Sequence, residues 1–174
     1  HYIMLAKLYA KSNDLENSFD TLNEGWDKYP GDKTVGLLYG QALADNKQSE
    51  DAIEVLDSLL ESHPNDDEIL LTAALLKAEL GAYEQAETLL IRATKTKQKN
   101  SSWYFLGQLY EQQNNNEKAI HAYSQVTEGK NLISAITRAT TIIKDTQDLS
   151  AARAHLRALH TTIPEQTPRL IQIE

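Results

Sequence analysis

Cysteine is absent from this chain of 174 residues, so the sequence excludes disulfide bonds and thiol chemistry. Long apolar runs are absent as well: no stretch approaches the ~18 residues that a membrane-spanning helix needs. Hydrophobic residues nevertheless make up 41% of the chain, which is enough for a packed core. The sequence therefore predicts a fold held together by apolar packing, without a membrane span.

Catalytic signatures are also missing. The sequence contains no HExxH zinc motif, no GxSxG nucleophile elbow and no glycine-rich phosphate or dinucleotide loop. His155 and His160 are five residues apart, so they would point to different faces of a helix and could not bind one metal ion together. We therefore expect no catalytic residue, no metal ligand and no cofactor, and we predict that the chain is not an enzyme.

Basic residues are outnumbered by acidic ones. Lys and Arg total 17 and Asp and Glu total 25, which gives a net charge of −8. The excess is uneven, because residues 1–132 hold 12 basic and 21 acidic residues whereas residues 133–174 hold 5 and 4. A nucleic-acid-binding domain is normally basic, so we expect no nucleic-acid partner and interpret the acidic excess as a solvated outer face.

The clearest positive pattern lies between Asn100 and Asn131 and predicts two helices joined by a polar turn. The first carries a face of Trp103, Leu106, Gly107 and Tyr110, and the second a face of Ala119, Tyr123 and Val126. The small residues allow the helices to approach closely, and the large ones fill the space around them. This pattern resembles the tetratricopeptide repeat motif, W-x2-L-G-x2-Y…A-x3-F…P, with Asn131 in place of the final Pro.

The same unit recurs along the whole chain. Small residues stand at spacings of 34, 34, 33 and 33, at Ser18, Ala52, Ala86, Ala119 and Ala152. A large residue follows each of them by four positions, at Leu22, Leu56, Leu90, Tyr123 and Leu156. Pro30, Pro64 and Pro164 follow the second helix of their units, where Pro stops a helix.

The resemblance implies an all-α fold: a right-handed superhelical solenoid of about five helix-turn-helix repeats, forming a single domain over residues 1–174. The repeats are expected at about 1–32, 33–66, 67–99, 100–132 and 133–166, with 167–174 beginning a further helix. The sequence opens inside the first predicted helix without a cap, so we expect a fragment of a longer protein. Asp14, Ser49 and either Asn115 or Asn116 are predicted to cap second helices.

Two positions depart from the repeat pattern. Gly36 stands where the motif has a bulky Trp, so we expect a weak point in repeat two. Lys77 stands where the motif has Tyr. Either the Lys77 stem passes along the core, or the helix is shifted by one residue so that Leu76 takes the position.

The resemblance also implies a concave groove lined by the first helix of each repeat. The groove positions carried over from the family are Lys7, Lys11, Leu37, Gln41, Leu71, Leu75, Tyr104, Gln108, Glu111, Thr141 and Lys144. Their apolar middle and polar ends favour a partner peptide or helix anchored by apolar side chains. Two alternatives stay open: Leu71 and Leu75 pack against a neighbouring repeat, or the whole chain is a structural spacer with no ligand of its own.

Residues 104–173 are also similar to gammaproteobacterial outer-membrane tetratricopeptide lipoproteins. The resemblance rests on YFLGQLYEQQNNNEKAIHAYSQV, AITRATTIIKDTQDLSAARAHLRAL and PEQTPRLIQIE. It implies a periplasmic scaffold, anchored to the outer membrane in the parent protein, that presents cell-wall enzymes to a C-terminal processing protease. Exposed repeat ends additionally predict a capacity for self-association.

Overall fold

The computed structural model describes residues 1–162, with side chains up to residue 159, so the further helix predicted for 167–174 lies outside the described residues. Over residues 1–162 the chain forms ten α-helices and no strand, which confirms the predicted all-α class. The contacts divide the chain into two compact units, His1–Leu89 and Leu90–Glu174. The single domain over the whole chain stays a prediction.

The first unit contains five complete helices and the start of a sixth. They are α1 (Tyr2–Lys11), α2 (Leu15–Lys28), α3 (Lys33–Asp45), α4 (Ser49–Ser62), α5 (Asp67–Glu79) and α6 (Tyr83–Ala93), which contains the boundary between the units. Helices α1 and α2 pack as a pair, as do α3 and α4. The pairs stack because α2 also packs on α3, α4 packs on α5, and the first helices contact one another.

The second unit repeats this arrangement. Its helices are α7 (Lys99–Gln112), α8 (Asn116–Ser124), α9 (Leu132–Thr146) and α10 (Leu149–Thr162). Helices α7 and α8 form one pair and α9 and α10 another, and α9 also packs against both helices of the pair before it.

Four of the turns within helix pairs share one backbone device. Each contains a single residue in the left-handed region, at Asn13 (φ 61°), Lys47 (φ 63°), Gly81 (φ 81°) and Asn114 (φ 58°). The following amide donates to the carbonyl five residues back, at 2.8–2.9 Å, and so closes the end of the first helix. The turn between α9 and α10 lacks such a residue within the described chain; there Gln147 donates to Ile143 instead.

Side-chain caps follow the predictions at two of three sites. Asp14 accepts a hydrogen bond from the amide of Asn17, and Asn115 accepts one from Lys118. The prediction for Ser49 is wrong, because α4 already begins at Ser49 and the preceding Gln48 makes no side-chain cap bond.

Side chains from two other helices fill the space beside Gly36, where we expected a weak point. A Cβ at Gly36 would lie 2.6 Å from Cζ3 of Trp26 and 2.8 Å from Cδ1 of Leu59. The indole of Trp26, which comes from α2, and the side chain of Leu59, which comes from α4, therefore fill the space that the motif's bulky residue would take. Trp26 also packs against the buried cluster of unit 1.

Lys77 is part of the core of unit 1. It is 1% exposed and lies beside Leu76, which is 3% exposed, so α5 buries both residues. Its ammonium donates to Asp57 Oδ1 on α4 at 2.7 Å and to Gln85 Oε1 on α6 at 2.5 Å. Of the two alternatives, the structure has the one in which the Lys77 stem passes along the core. The ammonium at its end binds two side chains instead of reaching water.

Candidate partner-binding surface

The predicted groove residues lie on the first helices of the pairs, and none belongs to the fully buried core. Lys7, Lys11, Gln41, Thr141 and Lys144 are exposed, and Leu37, Leu71, Leu75, Tyr104, Gln108 and Glu111 are half-buried. Six of these residues belong to unit 1 and five to unit 2. Half-burial of Leu71 and Leu75 is compatible with both alternatives for them, so their role stays a prediction.

Unit 1 contains a cavity of about 230 Å³ between α1, α2 and α3. Its walls are mainly apolar and are formed by Ala6, Ala10, Leu15, Phe19, Leu22, Leu38 and Ala42. Among the predicted groove residues, Lys7 and Gln41 line it, together with Asp45 and Asn46, whereas Lys11, Leu37, Leu71 and Leu75 do not. A cavity of this size could accept one large apolar side chain of a partner.

The polar groups at the cavity are held in place by bonds within the unit. Ser18 is buried and donates to the carbonyl oxygen of Ala6 at 3.0 Å, which ties α2 to α1. Gln41 donates to Asp45 Oδ1 at 3.0 Å along α3. The buried hydroxyl of Ser18 thus has its hydrogen-bond partner within the unit, and the exposed Lys7 and Asp45 reach the cavity from α1 and α3.

Sequence reasoning missed the cavity walls on α2. Groove positions were carried over for first helices alone, whereas Leu15, Phe19 and Leu22 come from a second helix. Leu15 is 66% exposed, which its sequence position does not indicate, because an apolar residue early in a helix is normally expected in the core.

Unit 2 contains a hydrogen-bonded cluster on α7, α8 and α9. Tyr123 is 1% exposed and donates its hydroxyl to Glu111 Oε2 at 2.6 Å. Arg138 Nη1 donates to the same oxygen at 2.9 Å. The rings of Tyr104 and Tyr123 have centroids 5.8 Å apart, and Gln108 lies 3.5 Å from the hydroxyl of Tyr104. The cluster brings together three predicted groove residues, Tyr104, Gln108 and Glu111.

The electrostatics of this cluster favour a fixed arrangement. Burial, followed by the hydrogen bond to the Glu111 carboxylate, raises the pKa of Tyr123 far above its ordinary value. Burial has the largest single effect on Arg138 and works against its charge. The hydrogen bond to Glu111 and the nearby Tyr123, Glu111 and Tyr104 groups together outweigh burial and raise the pKa of Arg138. Arg138 was not predicted, because the carried-over groove positions of α9 are Thr141 and Lys144. Sequence alone offers no signal that the neighbouring residue reaches Glu111.

Charge differs strongly between the units. Residues 1–89 hold 6 Lys or Arg and 18 Asp or Glu, a net charge of −12, whereas residues 90–174 hold 11 and 7, a net charge of +4. Among residues 1–162, no three His, Asp or Glu side chains are grouped as a metal ion would require. None of the described helices is both long and apolar enough to cross a membrane.

Comparison with known proteins gives a consistent picture. A tetratricopeptide repeat family model matches residues 9–76 and 43–104, and a second one matches residues 101–128. The TPR repeat-containing protein YpiA of Bacillus subtilis is 28% identical over 132 residues. That match covers 75% of this chain but 31% of YpiA, so the chain spans about a third of the length of this relative.

Solved structures share the fold at low sequence identity. The crystal structure of MamA has a TM-score of 0.74 at 17% identity and covers 96% of this chain and 92% of MamA. YrrB, described as a TPR protein with an unusual peptide-binding site, has a TM-score of 0.66 at 15% identity and covers 95% of this chain and 87% of YrrB. At these identities the likeness concerns the fold, an α-helical repeat solenoid.

Proposed function

The chain belongs to the tetratricopeptide repeat family, and from this premise we propose that it is a non-catalytic scaffold that binds a segment of a partner protein. The observation that carries the proposal is the apolar cavity of unit 1, lined by Lys7 and Gln41 from the predicted groove. A partner segment places one large apolar side chain between α1, α2 and α3. Its flanking polar groups meet Lys7 from α1 and Asp45 from α3.

Two further features support this function. YrrB, whose described property is an unusual peptide-binding site, has the same fold. In unit 2, Tyr104, Gln108 and Glu111 lie together with Arg138, which gives that unit an aromatic and hydrogen-bonding surface of its own. We assign the remaining groove residues, including Thr141 and Lys144, to the same partner-binding role.

A cavity-filling variant tests the proposal. Ala10 lines the cavity yet is exposed, so Ala10→Arg fills the cavity without disturbing the core. Peptides would be selected by display against the full chain, and their affinities measured by fluorescence anisotropy. We expect Ala10→Arg to weaken binding about tenfold or more, since it removes the burial of one apolar side chain.

The matched control is Ala154→Arg, the same substitution at an exposed alanine of α10. It should leave peptide affinity unchanged. If selection yields no binding peptide, the chain is a structural spacer instead. If both variants bind the peptide like the parent chain, the cavity is not the binding site. Leu71→Glu and Tyr104→Ala extend the test to the groove residues outside the cavity, with thermal unfolding as the check on folding.

We further propose that the partner is a cell-wall enzyme presented to a periplasmic C-terminal processing protease. This step rests on the similarity of residues 104–173 to gammaproteobacterial lipoproteins. Purified protease and a cell-wall hydrolase would be passed over the immobilised chain. Retention by the parent chain together with loss by Ala10→Arg is the expected result. Retention of neither protein would refute this assignment, and equal retention by both chains would show that these proteins do not bind at the cavity.

A further inference from the structure

The side chains of Glu111 and Arg138 form an ion pair on unit 2 that is held from the core and remains open to solvent. Nη1 of Arg138 lies 2.9 Å from Oε2 of Glu111, and the buried Tyr123 donates its hydroxyl to that same oxygen at 2.6 Å. Both charged side chains keep part of their surface exposed, 43% for Arg138 and 33% for Glu111. We call these two side chains, together with Tyr104 and Gln108, the α7–α9 polar cluster.

The repeat register shows that helix pairs stack without such a cluster. The position of Glu111 is occupied by alanine in the first three repeats, at Ala10, Ala44 and Ala78, and the position of Tyr123 is occupied by leucine in the other four. A leucine there needs no hydrogen-bond acceptor, whereas the buried hydroxyl of Tyr123 does. An ion pair with this much exposure also adds little stability. The cluster therefore goes beyond what stacking of the repeats requires.

The cluster offers hydrogen-bond donors and acceptors side by side. The guanidinium of Arg138 has several N–H groups, and the bond to Glu111 uses one of them. Oε1 of Glu111 accepts no hydrogen bond from the described part of the chain. Gln108 adds an amide whose nitrogen lies 3.5 Å from the hydroxyl of Tyr104, and the half-buried Tyr104 is a neighbour of Arg138. A ligand at the ion pair can therefore accept from Arg138 and donate to Glu111 at the same time.

The charges of the ion pair favour a neutral ligand. A carboxylate could accept from Arg138 but would be repelled by Glu111, and an ammonium group would meet the opposite conflict. A backbone peptide group is neutral, but its N–H and C=O point in opposite directions because the peptide bond is trans. A primary carboxamide carries its oxygen and its NH2 group on one carbon atom, so it presents both to the same side. Among protein side chains, Asn and Gln have this geometry.

We propose that the α7–α9 polar cluster binds the side-chain amide of an Asn or Gln residue in the partner segment. The amide oxygen accepts from Arg138, one amide N–H donates to Oε1 of Glu111, and the planar amide lies against the ring of Tyr104. Tyr123 holds Glu111 from the core and so keeps the ion pair in place. This inference rests on the proposed function, because the amide belongs to a bound partner segment, and it adds which side chain unit 2 selects.

A differential peptide selection tests the assignment. A phage library of random peptides would be selected on the full chain and depleted on the Arg138→Met chain, which keeps an apolar side chain there but has no N–H donor. We expect the remaining peptides to be enriched in Asn or Gln at one position, relative to the starting library. In a synthetic copy of such a peptide, replacing the amide by the isosteric acid should raise the Kd about tenfold or more in fluorescence anisotropy.

Two further variants separate a binding role from a structural one. Glu111→Gln keeps an oxygen that can accept from Tyr123, so the fold should be retained, as circular dichroism would check. It removes the negative charge beside Arg138, so the ratio of the Kd of the acid peptide to that of the amide peptide should fall about tenfold or more. Arg153→Met, at an exposed arginine of α10, is the matched control: its cluster is intact, so depletion on this chain should remove the amide-bearing peptides.

Several results would overturn the inference. They are enrichment of Asp or Glu in place of an amide, the absence of any peptide that depends on Arg138, and a Kd ratio that Glu111→Gln leaves unchanged. In each case, peptides that bind the parent chain and the Arg138→Met chain alike would leave the proposed function standing. If no peptide binds the full chain at all, the proposed function fails together with this inference.

Discussion

A single methyl group added at Gly107 should lower the stability of unit 2. A Cβ added at Gly107 would lie 2.5 Å from Cδ1 and 2.8 Å from Cζ of Tyr123. The ring has little room to move away, because Tyr123 is 1% exposed and its hydroxyl is held by Glu111 at 2.6 Å. Gly107→Ala should therefore force the α7–α8 pair apart or break the hydrogen bond.

The magnitude follows from two opposing effects. Overpacking a core by one methyl group costs about 1–3 kcal/mol, and contacts under 3.0 Å place this case in the upper part of that range, at about 2–3 kcal/mol. Replacing Gly by Ala inside a helix returns about 1 kcal/mol. We expect Gly107→Ala to lower the free energy of unfolding of unit 2 by about 1–2 kcal/mol.

Gly40 provides a matched comparison at the equivalent position of repeat two. A Cβ there would lie 3.5 Å from Cδ2 of Leu56, which is ordinary van der Waals contact. Gly40→Ala should therefore show the helix-propensity gain alone, a stabilisation of about 0.5–1 kcal/mol. The third repeat already carries Ala74 at this position, so a methyl group there is compatible with the fold.

The two tryptophans make the units separately measurable. Trp26 lies in unit 1 and Trp103 in unit 2. Urea unfolding of the Trp26→Phe chain would follow Trp103 for the Gly107 variant, and the Trp103→Phe chain would follow Trp26 for the Gly40 variant. Separate probes matter because stacked repeats need not unfold in a single step.

A double-mutant cycle isolates the contact. In a Tyr123→Leu background the ring is gone, so Gly107→Ala should become neutral or stabilising. Gly107→Ala as stable as the parent chain, or an equal loss with and without the ring, would refute the packing explanation.

Three further predictions concern the turns and the charged contacts. Lys47→Asn should raise the free energy of unfolding by about 1 kcal/mol in urea titrations, because Lys47 has φ 63° and Asn tolerates that conformation better; no gain would mean that the turn carries no strain. The hydrogen bond from Lys33 lowers the pKa of Asp66 below its ordinary value near 3.8, so the stability from Asp66 is full above that value and is lost as the pH falls through the lower folded-state pKa. Lys33→Met should move the pKa of Asp66 back up in a carbon-detected NMR titration, and an unmoved pKa would contradict the assignment. Lys77→Met keeps the buried stem and should change the free energy of unfolding by less than about 1.5 kcal/mol. Asp57→Ala removes one of the two side chains that hold the ammonium and should lower the free energy of unfolding by about 1–3 kcal/mol. Equal losses for the two variants in urea unfolding would argue against the paired ammonium.

Local spacing was enough to predict the helix pairs. Ala52, Ala86 and Ala119 fall within second helices, and the all-α class follows from the same periodicity. Features that depend on a side chain from another helix could not be predicted from local spacing. Trp26 fills the space at Gly36, and Asp57 and Gln85 receive the charge of Lys77, but no local pattern links these residues.

The candidate site shows the same division. Lys7 and Gln41, which were carried over from the repeat family as groove residues, line the cavity, and their role in partner binding stays a prediction. Phe19 and Leu22 were missed because they reach it from α2, and Arg138 was missed because its long side chain reaches Glu111 from a neighbouring position. Half-burial of Leu71 and Leu75 is compatible with packing against a neighbouring repeat and with binding a partner, so it does not decide between these two roles.

Lys77 also bears on how unit 1 comes apart. Stacked helices usually fray one pair at a time from an end, because each pair contacts only its neighbours. The ammonium of Lys77, on α5, donates hydrogen bonds to α4 on one side and to α6 on the other. Detaching either neighbour would leave this buried cation without one of its partners, which costs free energy. Helices α4, α5 and the start of α6 should consequently open as one cooperative block, and their amide protons should exchange with solvent at a common rate.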